Sequence, residues 1–268
     1  MASYLDHAAT TPMRPEVVDA MLPFLTERFG NPSGSHAVAR EARKAVDEAR
    51  EVVAESLGAR PGEIVFTAGG TEADNLAIIG RYRAHPGAVV CTAVEHHAVL
   101  HAAQSLPEAR VAPVGPDGVV DLDALGGLLD PTVSVVSVML ANNEVGTVQP
   151  LTAVGELVRE AAPRAVLHTD AVQAFPWLDV AELAAGADLA AVSAHKFGGP
   201  KGVGALVVRE GVTLEPIIHG GGQERERRSG TYNVAGIAGM AAAMRATVAD
   251  RLAAVDRVGR LRDRLADG

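Results

Sequence analysis

Cysteine is nearly absent from this chain. A single residue, Cys91, among 268 excludes an internal disulfide framework and suits the reducing cytoplasm. Aromatic residues are scarce at 3%, so the core has to be assembled from Ala, Val, Leu and Ile. No excess of positive charge is available: a formal net charge of −9 argues against nucleic acid as the main partner. The apolar runs are no longer than a strand, which excludes a transmembrane helix. The opening residues, from Met1 to His7, lack the basic and apolar regions of a signal peptide. What is present is ordinary for a soluble globular protein, with 48% hydrophobic and 21% charged residues. The length allows one large domain or two small ones around a substantial core.

Helical and strand patterns alternate along the chain, without internal repeats or low-complexity segments. Residues 15–26 read as a first helix with proline near its start. In 35–57, Val38, Ala42, Ala45, Val46, Ala49, Val52 and Val53 recur at helical spacing, and Gly58 stops the pattern. Strands are expected at 63–67, 88–94, 110–114, 133–140, 165–169 and 203–208, with a further one in the apolar run that starts at 187. Helices are expected at 72–83, 97–105, 151–162 and 236–266. Such alternation implies an α/β protein with a mainly parallel sheet and helices on both faces. In the last helix, Leu252, Val255, Val258, Leu261 and Leu265 form an apolar stripe that needs something to pack against.

The run Ala187 to Lys196 carries the strongest chemical signal. An apolar stretch ends in Ser193, His195 and Lys196, then turns through Gly198, Gly199 and Pro200. A lysine at the end of a buried strand is poorly solvated, so its amine can lose its proton and act as a nucleophile. Asp170 closes another apolar run. A lysine for a Schiff base and an acid for a pyridine nitrogen are the two protein groups that pyridoxal phosphate (PLP) chemistry needs.

Other motifs stand at strand ends, each with a plainer reading beside the functional one. Gly69-Gly70-Thr71-Glu72 joins a strand to a helix, where free amides favour phosphate, although Thr71 as a helix cap explains it equally. His96 could stack on a planar cofactor or be a hydrogen-bonded histidine at a strand end. His97 and His101 share a helix face, but the His-Glu-x-x-His pattern of a zinc site is missing, so no metal is expected. Asn142-Asn143-Glu144-Val145-Gly146 suits a turn and also places amide donors at the sheet edge where α/β folds bind ligands. Asp170 could be a helix N-cap, and Gln173 could donate to a ring oxygen. Residues 220–231 form a glycine-rich loop with three arginines, either a flexible surface loop or a phosphate or subunit contact.

In order and spacing, these motifs resemble the cysteine desulfurases (the NifS/IscS group) of the class-V, fold type I PLP enzymes. The resemblance runs from Tyr4-Leu5-Asp6-His7-Ala8-Ala9-Thr10-Thr11-Pro12 to Arg228-Ser229-Gly230-Thr231. Between these lie Phe29-Gly30-Asn31-Pro32-Ser33, Gly70-Thr71-Glu72-Ala73-Asp74-Asn75, Glu95-His96, the Asn142 motif and the Ser-x-His-Lys run. It implies the fold type I large domain over residues 16–250, an N-terminal segment over 1–15, and a helix start at 251–268 leading to a small C-terminal domain absent from this chain. It also implies roles. Lys196 carries the Schiff base and acts as base and acid, and His96 stacks on the ring and joins the catalysis. Asp170 pairs with the ring nitrogen, Gln173 bonds the ring hydroxyl oxygen, and Asn143 makes a further cofactor contact. Gly70, Thr71, Ser193 and His195 hold the phosphate, Thr231 reaches it across a homodimer interface, and Asn31 meets the substrate carboxylate. The implied activity converts L-cysteine to L-alanine and passes sulfur to an enzyme cysteine as a persulfide, for a sulfur-acceptor protein in iron–sulfur assembly or another sulfur pathway.

The chain departs from that pattern in one respect. The family's persulfide cysteine and a substrate-binding arginine belong to the C-terminal domain, which is expected to be missing here. Cys91 lies within the apolar run Val89 to Val94 and reads as a buried structural thiol. A related class-V lyase or aminotransferase, or a PLP-binding protein without catalysis, would share Lys196 and Asp170 without needing a thiol.

Overall fold

The helical signals near the N-terminus become α1 (Pro15–Leu25) and α2 (Ala37–Ser56) in the computed structural model, which describes residues 3–268. Pro15 opens α1, where its missing N–H costs nothing. The His36 ring accepts the Ala39 N–H at the start of α2. The apolar stripe of α2 is buried from Ala39 to Ala54. Strand β1 (Ile64–Thr67) follows, and the next helix begins two residues earlier than expected. It runs as α3 (Gly70–Asn75), a π-helical turn over Leu76–Gly80, and α4 (Arg81–Ala84). Then come β2 (Ala88–Thr92), α5 (His97–Gln104), β3 (Ala109–Ala112), α6 (Leu122–Gly126) and β4 (Val133–Ser137). The chain continues through α7 (Leu151–Ala161), β5 (Val166–Asp170), α8 (Val180–Leu183), β6 (Leu189–Ser193), β7 (Gly204–Val208) and α9 (Val234–Ala266).

The seven strands form one sheet in the order β1-β7-β6-β5-β4-β2-β3. β7 is antiparallel to both β1 and β6, and the other neighbouring pairs are parallel. Since β1 and β6 both oppose β7, every strand except β7 points the same way. β7 is the exception because no crossover helix joins it to β6, and a short connection forces an antiparallel return. The sheet is therefore the mainly parallel one that the alternation implied. Its consequence for function is that the loops after β1, β2, β4, β5 and β6 all emerge at one edge.

Two apolar layers cover the sheet. Phe66, Val90, Val136, Leu167 and Val207 pack with α1, α2, α7 and α9 on one face. Val65, Val89, Cys91, Val135 and Leu206 pack with α3 and α5 on the other. Strands β2 and β4 end sooner than their apolar runs. Val138, Met139 and Leu140 stay buried beyond β4 but leave the strand to line the edge, so the hydrophobic pattern continues past the ladder. The short helices α6 and α8 have too few residues to show helical periodicity, and only their capping residues Asp121 and Asp179 signal them. α9 continues unbroken through residues 250 and 251. Its first half is buried as far as Thr247, and its stripe beyond that is open, with Leu252 86% and Leu265 84% exposed.

Candidate active site

The loops at the common strand edge enclose a cavity of about 280 Å³. Lys196, Asp170, His96, Gly70, Thr71, Asn143, Gln173, Ser193 and His195 all line it, brought together from five separate strand ends. Lys196 sits on a 3-10 turn (Ala194–Lys196) directly after β6. Its Nζ donates to the backbone oxygens of Ala8 (2.6 Å) and Ala9 (3.1 Å), so the N-terminal segment closes over it. Burial lowers the Lys196 pKa from its usual value, and the negative charges of Asp170 and Asp6 oppose that shift.

Asp170 ends β5 and is 5% exposed. Its Oδ1 accepts the Val172 N–H at 2.8 Å, which leaves the other oxygen for a second donor. Burial, and after it the neighbouring Asp74, push its pKa up to about 7. His96 caps α5: its Nδ1 accepts the Ala98 N–H at 3.1 Å, which fixes the ring at the cavity rim. Asn142 shapes the neighbouring turn, its Oδ1 accepting the N–H groups of Glu144 and Val145 and its amide donating to the Val94 oxygen. This turn presents Asn143 to the cavity.

A concave cradle adjoins these groups at the start of α3. Gly69 has φ +145°, a conformation that side-chain-bearing residues rarely adopt. A Cβ on Gly70 would lie 2.8 Å from Val172 Cγ2, so only glycine leaves the space open. Thr71, Ser193 and His195 surround this space, with Lys201 beyond them. The His195 ring is held by Thr10 Oγ1 at 3.1 Å. Glu72 anchors the turn: its carboxylate accepts the Ala68 N–H and is paired with Arg228 from the glycine-rich loop (Nε–Oε1 2.7 Å).

Two expected site residues lie elsewhere. Asn31 is exposed, its side-chain oxygen bonded to the Ser33 N–H, and does not line the cavity. Thr231 is exposed on the glycine-rich loop and does not line it either. The motif reading passed over Ala9, Asp74, Met139 and Val172, which do line the cavity. Asp74 alone carried a signal, as an acid among Ala73, Leu76 and Ala77 on the buried face of α3 and the π turn. Cys91 is fully buried, and burial pushes its thiol up to about 12. Among the described residues, no helix is long and apolar enough to cross a membrane.

The residues present fit PLP. A free Asp170 oxygen suits a ring N–H, and Lys196 lies on the same cavity. The Gln173 Oε1 is buried without a partner among the described residues, and the Gly70 cradle is empty of side chain where an anion needs room. Comparison with known proteins agrees. The class-V aminotransferase family model matches residues 3–265. The cysteine desulfurase IscS of Dictyoglomus turgidum is 45% identical, the match covering 97% of this chain and 67% of that protein. The IscS-like cysteine desulfurase of Mycobacterium tuberculosis is 46% identical over 99% of this chain and 70% of its own length. A solved NifS-like protein superposes with a TM-score of 0.96 at 39% identity, covering 100% of this chain and 75% of that one. The chain thus spans about two thirds of the length of these curated relatives, and over that span it belongs to the class-V aminotransferases, in their PLP-dependent cysteine desulfurase group.

Proposed function

We propose that this chain binds PLP at the Lys196 cavity and works as a cysteine desulfurase, releasing L-alanine from L-cysteine. The observation that carries the reading is the convergence of Lys196, Asp170 and His96 on one cavity beside the Gly70 cradle. A similar solved structure, of SspA in complex with cysteine, is 36% identical with a TM-score of 0.85 and supports cysteine as the substrate. When bound, PLP supplies an electron sink for negative charge at the substrate α-carbon. The chain's own residues do the rest. Lys196 holds the cofactor, and its lowered pKa lets Nζ take the α-proton and return it. Asp170 as an anion keeps a proton on the ring nitrogen, His96 covers the ring face, and Gln173 and Asn143 fix its orientation. Gly70, Thr71, Ser193 and His195 hold the phosphate. Thr231 lies outside its own chain's cavity and serves the phosphate of a second copy, which makes the working unit a homodimer.

The sulfur balance needs a thiol: L-cysteine and an acceptor thiol give L-alanine and the acceptor persulfide, with the carbon–sulfur bond broken and a sulfur–sulfur bond formed. Cys91, the single cysteine, is fully buried with its thiol pKa pushed up to about 12. The acceptor thiol therefore comes from outside residues 1–268, and the final recipient is a sulfur-acceptor protein in a reducing, cytoplasmic setting. To test this, the chain is titrated with PLP and then given L-cysteine and an added dithiol. A visible absorption band, its loss in Lys196→Ala, and equal amounts of alanine and sulfide are expected. A band that survives in Lys196→Ala overturns the lysine assignment. Turnover of an amino acid with a keto acid and no thiol would favour an aminotransferase instead.

A further inference from the structure

Behind Asp170 lies a buried polar chain that the desulfurase chemistry does not use. On β5, His168 and Asp170 are two residues apart and point to the same face of the sheet. Ser137 is the register partner of His168 on β4, and its Oγ lies 2.8 Å from His168 Nδ1. On the other side, His168 Nε2 lies 3.5 Å from Asp74 Oδ1. His168 is fully buried, Ser137 likewise, and Asp74 is 1% exposed although it lines the floor of the cavity. Glu95 completes the layer from the loop after β2, 7% exposed, with Oε1 accepting the Thr92 hydroxyl (2.7 Å) and the Met139 N–H (2.8 Å).

Three carboxyl groups in one dry layer cannot all carry charge. Asp170 has the best claim to ionise. It accepts the Val172 N–H, and the His96 and Lys196 side chains face it from the rim. Glu95 has two donors on a single oxygen. Asp74 has none within hydrogen-bond distance: its Oδ1 and the His168 Nε2 are both buried without a partner among the described residues. Their 3.5 Å separation is too long for a charged pair to compensate two desolvated ions.

We propose that Asp74 is a neutral carboxylic acid, kept in that form by its dry surroundings and by a neutral His168 behind it that supplies no countercharge, and that it leaves Asp170 as the single anion at the cavity floor. The hydrogens then fall in one order. The Ser137 hydroxyl donates to Nδ1, the neutral imidazole turns its Nε2–H toward Asp74 Oδ1, and the other Asp74 oxygen keeps the proton. Burial holds His168 neutral, with its pKa lowered to about 4, and pushes Asp74 up to about 8. Asp74 is thus a positioning residue. It offers a hydrogen-bond donor to the cavity and protects the charge of Asp170 from a second anion. The consequence for the cofactor rests on the PLP reading, whereas the protonation state itself does not.

Infrared spectroscopy of the PLP-loaded chain carrying carbonyl-labelled aspartate tests this directly. At pH 7, one isotope-shifted stretch of a protonated carboxyl is expected, and it should be missing in Asp74→Asn. The labelling separates it from Glu95, and the presence of the band is read on the intact protein. In parallel, Asp74→Asn should keep the PLP dissociation constant within about threefold and leave the pH midpoint of the visible band in place, because the amide mimics a neutral acid. Asp74→Leu, which has no donor, should weaken PLP binding by about tenfold, one pK unit in free-energy terms. No protonated aspartate band at pH 7, or a midpoint lowered by about one unit in Asp74→Asn, overturns the proposal, since the second result means that a real negative charge was removed. Failure to take up PLP at all would overturn the cofactor reading, while the part of the aspartate band lost in Asp74→Asn would still report on Asp74.

Discussion

The glycine-rich loop before α9 turns through three consecutive non-glycine residues in the left-handed region, Glu224, Arg225 and Glu226, at φ 50°, 57° and 66°. Such residues cost roughly 1–2 kcal/mol each, so something has to hold them. Arg50 on α2 does so: its Nη2 and Nη1 donate to Glu224 Oε1 (2.7 Å) and Oε2 (2.9 Å). The Phe66 N–H also reaches Oε2 (3.1 Å), Arg50 Nη1 donates to the Ile64 oxygen (2.7 Å), and the guanidinium lies 4.7 Å over the Phe66 ring. The two side chains are 8% and 2% exposed. Glu224→Ala strands a buried cation and orphans the Phe66 N–H, a loss of about 3–5 kcal/mol. Release of the left-handed turn returns part of this, so a net loss of about 3 kcal/mol is expected. For a urea slope of about 3 kcal/mol/M, the unfolding midpoint should fall by about 1 M. Replacing both partners together, Arg50→Met with Glu224→Leu, should recover most of the loss because no charge is left buried. If Glu224→Ala costs less than about 1 kcal/mol, or the double variant costs as much as the two single changes summed, the ion pair is not what holds the turn.

Three further outcomes follow from the site. Gly70→Ala puts a Cβ 2.8 Å from Val172 Cγ2 and should weaken PLP binding by about tenfold, with Val172→Ala restoring it; unchanged affinity by fluorescence titration would mean that the cradle is not used. Cys91, buried with its thiol pKa at about 12, should resist alkylation at pH 8 in the folded protein and react fully in urea, as read by mass spectrometry; rapid labelling of the folded chain would refute its burial. The cofactor-free chain should lose stability from pH 5 to pH 8. Asp74 and Glu95 (about 8) and Asp170 (about 7) bind protons in the fold that the unfolded chain has released, so stability falls as pH rises through this window. His168, lowered to about 4, opposes this only up to its unfolded value near 6.5. A Tm that rises between pH 5 and pH 8 would contradict the buried acid layer, and Asp170→Asn should flatten the slope.

Much of the fold was legible because the patterns are local. The α2 stripe, the Pro15 start of α1 and the strand-helix alternation each depend on neighbours in sequence, and the structure keeps them within a few residues. The cofactor-side residues were legible for a related reason: each stands where an apolar run stops, and in a sheet whose strands share a direction those stops fall on one edge. The partners of Asp74 were not: its segment marks it as an acid on a buried face, but nothing there says that His168 and Asp170, far along the chain, will face it across a dry layer. The buried partnership of Arg50 with Glu224 was hidden similarly, since an arginine on a helix and a glutamate in a polar loop both look solvated until the two segments meet.

Sequence alone determined the α/β alternation, the mainly parallel sheet, the absence of disulfides and the placing of Lys196, Asp170 and His96 at or just beyond the ends of apolar runs. These are matters of periodicity, composition and side-chain type, which a chain carries before it folds. Tertiary structure alone decided that β7 runs against its neighbours and that the N-terminal segment places two backbone oxygens on Lys196. It also decided which acid keeps its proton. A protonation state depends on the distance to other charges and on the exclusion of water, and both exist only once the strands and helices are packed.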